Sequence, residues 1–249
     1  MVKYKIYATL LDSLTNYQES DIIYDRYWGF SDNPPQTCEE FHELQYHELI
    51  NRINRVPYDS EAADKGTAFN EVVDSLVELR NSKKVKIEKV SLDNKVIGVN
   101  ATYNNRTFYF DISLIREFSE YFANAITQQY VEAEIETDFG NVLVYGFIDE
   151  LMPTSVHDIK TTTNYYIWKY KHNSQHLVYP YCLNKMGNNV DLFEYNVAEI
   201  GKTSYNTYTE TYLFDDKMDT DILRKRCESF INFIEENRNV ITDKKIFGL

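Results

Sequence analysis

The side chains with most chemical promise lie between Gly146 and Thr163, in the run Gly-Phe-Ile-Asp149-Glu-Leu-Met-Pro-Thr-Ser-Val-His-Asp158-Ile-Lys160-Thr-Thr-Thr. The run reads as two strands joined at Pro153, Thr154 and Ser155, residues that favour turns. Tyr145, Phe147 and Asp149 alternate onto one face of the first strand. Val156, Asp158, Lys160 and Thr162 share one face of the second, because side chains two apart point the same way. Such a hairpin brings two carboxylates and one ammonium together at a strand end. That set suits phosphodiester cleavage. Two carboxylates can hold a hard divalent cation, Mg²⁺ or Mn²⁺, which prefers oxygen ligands. The cation lowers the pKa of a bound water and offsets charge on the phosphate. A lysine beside it orients the water or stabilises the developing charge. The main-chain carbonyl of Ile159, between Asp158 and Lys160, is a further oxygen ligand.

The elements that must position this set can be read on both sides of it. Upstream, Phe69, Val72, Val73, Leu76 and Val77 follow the helical i, i+3, i+4, i+7, i+8 pattern, and Asp64-Lys-Gly66 is expected to open that helix. Asn70 falls at the edge of the apolar stripe, with Asp74 one turn later on the same side and Glu71 turned to water. Asp74 looks either into a cleft or into solvent. Val131-Glu-Ala-Glu-Ile-Glu alternates strictly, then Asp138-Phe-Gly140-Asn141 turns the chain into the strand that ends in Asp149. The glutamate row is a solvated face, and Glu134 is the candidate if one acid enters the site. Downstream, Asn173 or Ser174 caps a helix with Gln175 and Tyr179 one turn apart. These two either hold phosphate oxygens or form a buried polar pair. The run Tyr165-Tyr-Ile-Trp168-Lys-Tyr170 either stacks on bases or packs against the next helix. His157, on the other strand face, reads as a core histidine.

Taken together, Asp149 followed by Asp158-Ile-Lys160 resembles the signature of the PD-(D/E)XK nuclease superfamily. Gly146-Phe-Ile-Asp149 and Lys160-Thr161-Thr resemble its RecB-type exonuclease branch. Gly66-Thr-Ala-Phe-Asn70 stands where that branch has Gly-x-x-x-His, and Gln175-His-Leu-Val-Tyr179 matches its Gln-x-x-x-Tyr helix. The resemblance spans Gly66 to Tyr181, in the family's order. It implies a metal-dependent deoxyribonuclease, an exonuclease of recombination, repair or phage DNA processing. Asp149, Asp158 and Lys160 would be catalytic. Asp149, Asp158, the Ile159 carbonyl and Asn70 would hold the metal, and Gln175, Tyr179 and Thr161 would contact DNA. Asn70 departs from the family histidine and offers a weaker carbonyl oxygen. The alternative is a non-catalytic DNA-binding or assembly subunit that keeps the nuclease fold.

The expected fold is α/β with a restriction-endonuclease-like core: helix, three-strand meander, helix, strand, in a mixed central sheet. One domain over residues 1–249 would carry an N-terminal helical part (1–60) and a β-hairpin insertion (84–112). In that first part, Tyr7, Leu10, Leu11, Leu14 and Tyr17 point to a helix from Tyr4 to about Tyr24. Thr37 with Glu40 forms a capping box for a helix turning Phe41, Leu44 and Ile50 inward. In the insertion, Lys86–Val90, Val96–Asn100 and Thr107–Phe110 are strand-like, with Asp93-Asn94 and Asn104-Asn105 as turn signals. Ser113 to about Gln128 reads as helix. Two strands, from Val190 to Ile200 and from Tyr205 to Phe214, and a helix beginning at Asp215 or Asp216 close the chain.

Composition bounds the function. The 249 residues carry 39 acidic and 26 basic side chains, for a net charge of −13, where DNA-binding proteins usually show a basic footprint. Basic residues gathered at the cleft, a homo-oligomer or a partner recombination protein would reconcile that charge with binding linear DNA ends. No apolar run approaches the roughly 20 residues of a membrane span, and the opening apolar stretch is too short for a signal peptide. Three scattered cysteines, Cys38, Cys182 and Cys227, exclude the four-cysteine iron–sulfur cluster of some RecB-type nucleases and favour a reducing cytoplasm, bacterial or phage-infected.

Overall fold

The computed structural model describes residues 2–248. A short strand, β1 (Tyr4–Tyr7), leads into α1 (Ala8–Gln18), α2 (Ser20–Trp28), α3 (Cys38–Ile53) and α4 (Glu61–Val77). Three strands follow, β2 (Lys86–Leu92), β3 (Lys95–Tyr103) and β4 (Arg106–Asp111), then α5 (Ile112–Tyr121). The central part is β5 (Ile126–Thr137), β6 (Gly140–Met152), β7 (Ser155–Thr162), α6 (Gln175–Lys185), β8 (Leu192–Ile200) and β9 (Tyr205–Leu213). Helix α7 (Met218–Glu236) and a 3₁₀ turn (Lys244–Phe247) end it. Among the described residues no helix is long and apolar enough to cross a membrane.

The fold is α/β, built on a mixed six-stranded sheet in the order β1-β6-β7-β8-β9, with β5 also on β6. β5, β6 and β7 form an antiparallel meander, and β8 joins β7 in parallel after the α6 crossover. Alternation along the strands sends Val156 and Val197 into one core with α1, α6 and α7. Ile159 and Ala198 go into another with α4, α5 and the second sheet. The sheet is thus covered on both faces at β7 and β8, as parallel pairing requires.

Several local expectations need correction. Tyr4–Tyr7 is a strand, with Tyr4 and Ile6 buried and Lys5 exposed, and the helix that follows breaks at Glu19. A period of two in the first four residues overrides the helical spacing that begins at Tyr7. α4 starts at Glu61, capped by Ser60, whose Oγ accepts the Ala63 N–H, rather than at Asp64. The insertion is a three-stranded sheet, order β2-β3-β4, rather than a hairpin. α5 stops at Tyr121, and Asn124 at φ 74° turns the chain into β5, so Ile126–Gln128 are strand, not helix. α7 starts at Met218, whose N–H bonds the Asp215 carboxylate, not at Asp215 or Asp216. Leu44 is exposed and Leu49 takes its place inside α3. Glu71, expected in water, is buried against Arg80 at 2.5 Å.

Candidate active site

The ladder between β6 and β7 is only three pairs long and ends at Glu150 opposite His157. At the other end of the same β6 edge, β1 pairs only from Val142 to Tyr145. Between these contacts the edge of β6 from Gly146 to Asp149 has no strand beside it, and a cleft opens in the sheet. Asp149 bridges it. Its Oδ2 accepts the Ile159 N–H at 2.9 Å, a backbone bond that a continued ladder would have used. The same oxygen accepts Asn70 Nδ2 of α4 at 3.1 Å.

Asp158 and Lys160 line the other wall, two apart on β7 as alternation requires. Lys160 Nζ lies 2.7 Å from Asp158 Oδ2 and donates to Gln175 Oε1 at 2.7 Å. Gln175 Nε2 donates to Asp158 Oδ1 and, at 3.3 Å, to the Tyr179 hydroxyl. One glutamine amide therefore holds both the carboxylate and the ammonium, and Tyr179 steadies the glutamine. The Tyr179 ring needs the bare backbone of Gly146: a Cβ there would lie 2.6 Å from Tyr179 Cε1. Gln175 and Tyr179 are buried, so their role in the structure is to set Asp158 and Lys160.

The remaining expected residues divide. Asn70 and Asp74 both turn inward from α4, and Asp74 is buried. Thr161 lies on the α4 face of β7, away from Lys160, its Oγ1 3.3 Å from where Gly66 would carry a Cβ. Glu134 stays with the solvated row, accepting from Asn141 at 2.7 Å at the far end of β6. His157 is buried on the opposite face. In the aromatic run, Tyr165 stacks on Tyr208 with centroids 4.3 Å apart and Tyr170 tilts against Tyr195, while Tyr166, Ile167 and Trp168 stay exposed.

Three residues enter that the sequence reading did not single out. Glu150 is wholly buried and its carboxyl meets that of Asp74. Two ionised carboxylates have no donor between them, so this contact is a hydrogen bond only while one keeps its proton. Glu150 had a signal: it is the one acid on the buried face Val142, Val144, Gly146, Ile148, Glu150. Gln128, at φ 50°, sits opposite Asp149 where the β5–β6 ladder skips one pair without a change of register, and it points its amide at Asp149 Oδ1, 3.5 Å away, and at Asp74. A non-glycine residue held there is strained, and such strain gathers at functional sites. Asp12 of α1 accepts the Ser174 N–H at 2.6 Å, serving the start of α6 where the Ser174 side chain does not.

Electrostatics follow from burial. Desolvation, then the neighbouring Asp158, push Asp149 up to about 8. Desolvation and Asp74 push Glu150 up to about 9, and desolvation pushes Asp12 up to about 6. Burial opposes the Lys160 charge, but Asp158 and Asp149 outweigh it and its pKa is raised. Lys160 is therefore held as an ammonium beside the two carboxylates.

The donor set suits a hard cation. Asn70 Oδ1 is buried with no hydrogen-bond partner, and Asp158 Oδ2 has only the Lys160 ion pair. With Asp149 Oδ1, these are three oxygens with spare lone pairs at one cleft. Among the described residues, no group of three or more His, Cys, Asp and Glu side chains stands ready to hold a metal. The set is two carboxylates, an amide and the Ile159 carbonyl.

No protein-family model matches the chain, and no curated protein matches it. Among solved structures it is similar to the crystal structure of SSO0001, at 12% identity and a TM-score of 0.42, over 92% of this chain and 77% of that one. At that distance the likeness bears on neither fold family nor activity.

Proposed function

We propose that this chain is a Mg²⁺- or Mn²⁺-dependent deoxyribonuclease with a restriction-endonuclease-like core, an exonuclease of the RecB type acting on linear DNA. One observation carries the reading. Asn70, Asp149, Asp158, Lys160, Gln175 and Tyr179 come from four elements, and a chain of direct contacts on each cleft wall joins them at one opening in the sheet. The order α4, β5-β6-β7 meander, α6, β8 supports the same core.

Asp149, Asp158, the Ile159 carbonyl and Asn70 would hold the cation, which when bound supplies an acidified water and charge for the phosphate. The chain's own residues do the rest. Lys160 meets charge developing on the phosphate oxygens. Gln175 fixes the spacing of Lys160 and Asp158, so neither has to reorganise during reaction. Gln128 and Asn70 hold the Asp149 carboxylate toward the cleft.

The test is end-labelled linear DNA, single- and double-stranded, in Mg²⁺ or Mn²⁺, beside a closed circle and Lys160→Ala. Loss of linear DNA, spared circles and an inactive Lys160→Ala are expected. Cut circles would make it an endonuclease. The second reading, a non-catalytic DNA-binding or assembly subunit, is favoured by the Asn70 amide, which gives Asp149 a donor in place of a metal-binding ring. A folded protein inert in both metals would favour it and make the search for a partner the next step.

A further inference from the structure

The face of β6 that carries Asp149 is left partly open. Alternation puts Leu143, Tyr145, Phe147 and Asp149 on that face, and Phe147 is 55% exposed. Tyr130 stands directly across from Phe147 on β5, is 39% exposed, and its ring centroid is 5.2 Å from that of Phe147. Tyr130 meets Tyr145 at 6.3 Å, and Tyr145 meets Tyr7 of β1 at 6.0 Å. The rings form one unbroken track across three strands. Its near end, Phe147, is two residues from Asp149, about 7 Å along the strand. Its far end carries a cation already paired with a carboxylate, since Arg55 Nε lies 2.5 Å from Asp243 Oδ2. Arg55 lies 5.9 Å from the Tyr7 ring centre and donates to the Tyr145 hydroxyl at 3.2 Å. The Arg52 guanidinium lies over the Tyr58 ring, outside the track, while Lys5, two residues before Tyr7 on β1, is exposed.

An antiparallel sheet can leave one face to water, and the same face of β5 carries the solvated Glu132, Glu134 and Glu136. Polar side chains suit such a face, whereas adjoining large rings do not. Rigid aromatics on an open sheet are what unpaired nucleobases stack on, since every base has a π-face and stacking needs no sequence. A duplex hides those faces. Charge does not make the choice: Glu132 accepts the Tyr130 hydroxyl at 2.5 Å, and a single strand carries phosphates as a duplex does, so the preference for an unpaired strand rests on the rings alone.

We propose that Phe147, Tyr130, Tyr145 and Tyr7 are a stacking track for single-stranded DNA, with the exposed Lys5 meeting its phosphates. The track delivers an unpaired strand to Asp149, so it rests on the nuclease reading for its purpose but not for its binding. The test uses Lys160→Ala protein and an oligonucleotide carrying 5-iodouracil, cross-linked by light and mapped by mass spectrometry, with binding followed by fluorescence anisotropy. Cross-links on Phe147, Tyr130 or Tyr145 are expected. Phe147→Ala and Tyr130→Ala should each weaken single-strand binding about tenfold and leave duplex binding unchanged, while Phe147→Leu tests loss of stacking without loss of apolar bulk. Cross-links confined to the exposed Tyr166–Trp168 segment, or unaltered binding in the double alanine variant, overturn the track. So does a dimer that dissociates on Phe147→Ala with oligonucleotide binding unchanged, which would make a second copy of this chain the occupant. Wild-type hydrolysis without cross-links at the track removes the track and keeps the nuclease. Cross-links at the track without hydrolysis support the track and remove the nuclease.

Discussion

Two polar clusters sit back to back on β7, and they are solved in opposite ways. On the α5 side, Ser155 Oγ bonds His157 Nε2 at 2.7 Å and His157 Nδ1 bonds Asn196 Oδ1 at 3.0 Å. Glu194 Oε2 lies 3.3 Å from the same ring nitrogen and accepts the Tyr121 hydroxyl at 2.7 Å. Serine, histidine and glutamate in that order have the layout of a nucleophilic triad. Yet Ser155 and His157 are 7% and 1% exposed, which leaves no room for a substrate at the hydroxyl. Burial also lowers the His157 pKa and keeps the ring neutral. On the α6 side and in the cleft the reverse holds. Of seven buried side-chain polar atoms left without a hydrogen-bond partner among the described residues, five belong to Asn70, Asp74, Glu150 and Asp158, with Asp158 Oδ2 keeping only its Lys160 ion pair and the Asp74 and Glu150 carboxyls meeting each other. A closed network spends its hydrogen-bonding capacity on the fold. A network with idle oxygens keeps that capacity for something else.

The comparison can be broken at either cluster. Lys160→Ala should lower kcat by about 10²–10³-fold, the loss typical of one charge stabiliser, and also lower the transition temperature, because Asp158 is left buried without its ion-pair partner. His157→Ala should cost stability alone. Leaving Ser155, Asn196 and Glu194 without their shared partner should cost about 2–3 kcal/mol in denaturant unfolding, with activity per folded molecule unchanged. A His157 variant that is folded but inactive would reverse the assignment of the two clusters.

A sharper test uses pH. Asp149 and Glu150 have folded pKa values raised to about 8 and about 9, above ordinary carboxyl values of 3.8 and 4.5. The native state thus holds more protons than the unfolded chain, and stability falls as pH rises across that window. A divalent cation competes with those protons. Calorimetry should therefore show a Mn²⁺-induced rise in transition temperature that grows from about pH 6 to about pH 8.5, reaching several degrees at saturation. A rise independent of pH would place the cation elsewhere. The smallest expected effect is that of Asn70→Asp. A third carboxylate should lower stability in chelator and tighten cation binding by about tenfold, measured by titration calorimetry.

The sequence exposes what is local and hides what depends on distant partners. The turns at Asp93-Asn94 and Asn104-Asn105 are legible because these residues tolerate positive φ, and all four adopt it, between 46° and 62°. The Thr37–Glu40 capping box is legible for the same local reason. The spacing of Asp158 and Lys160 follows from strand alternation alone. β1 is hidden because its partner is Val142–Tyr145, far along the chain, and four residues cannot announce a strand without it. Glu71 is misread because nothing in its helix foretells that Arg80 folds back over it. Gln128 and Asp12 carry no periodic signal. Their roles come from a distorted backbone and from a helix start contributed by another part of the chain.

Asp149 closes the gap in the sheet by taking the Ile159 N–H, so it serves the architecture as well as the chemistry. On the proposed reading Asp149 thus has two duties, one to the sheet and one to the cation. In a lineage that never performed or had lost hydrolysis, Asp149 would still be retained to hold the strands together, so an aspartate at this position marks the fold rather than the activity.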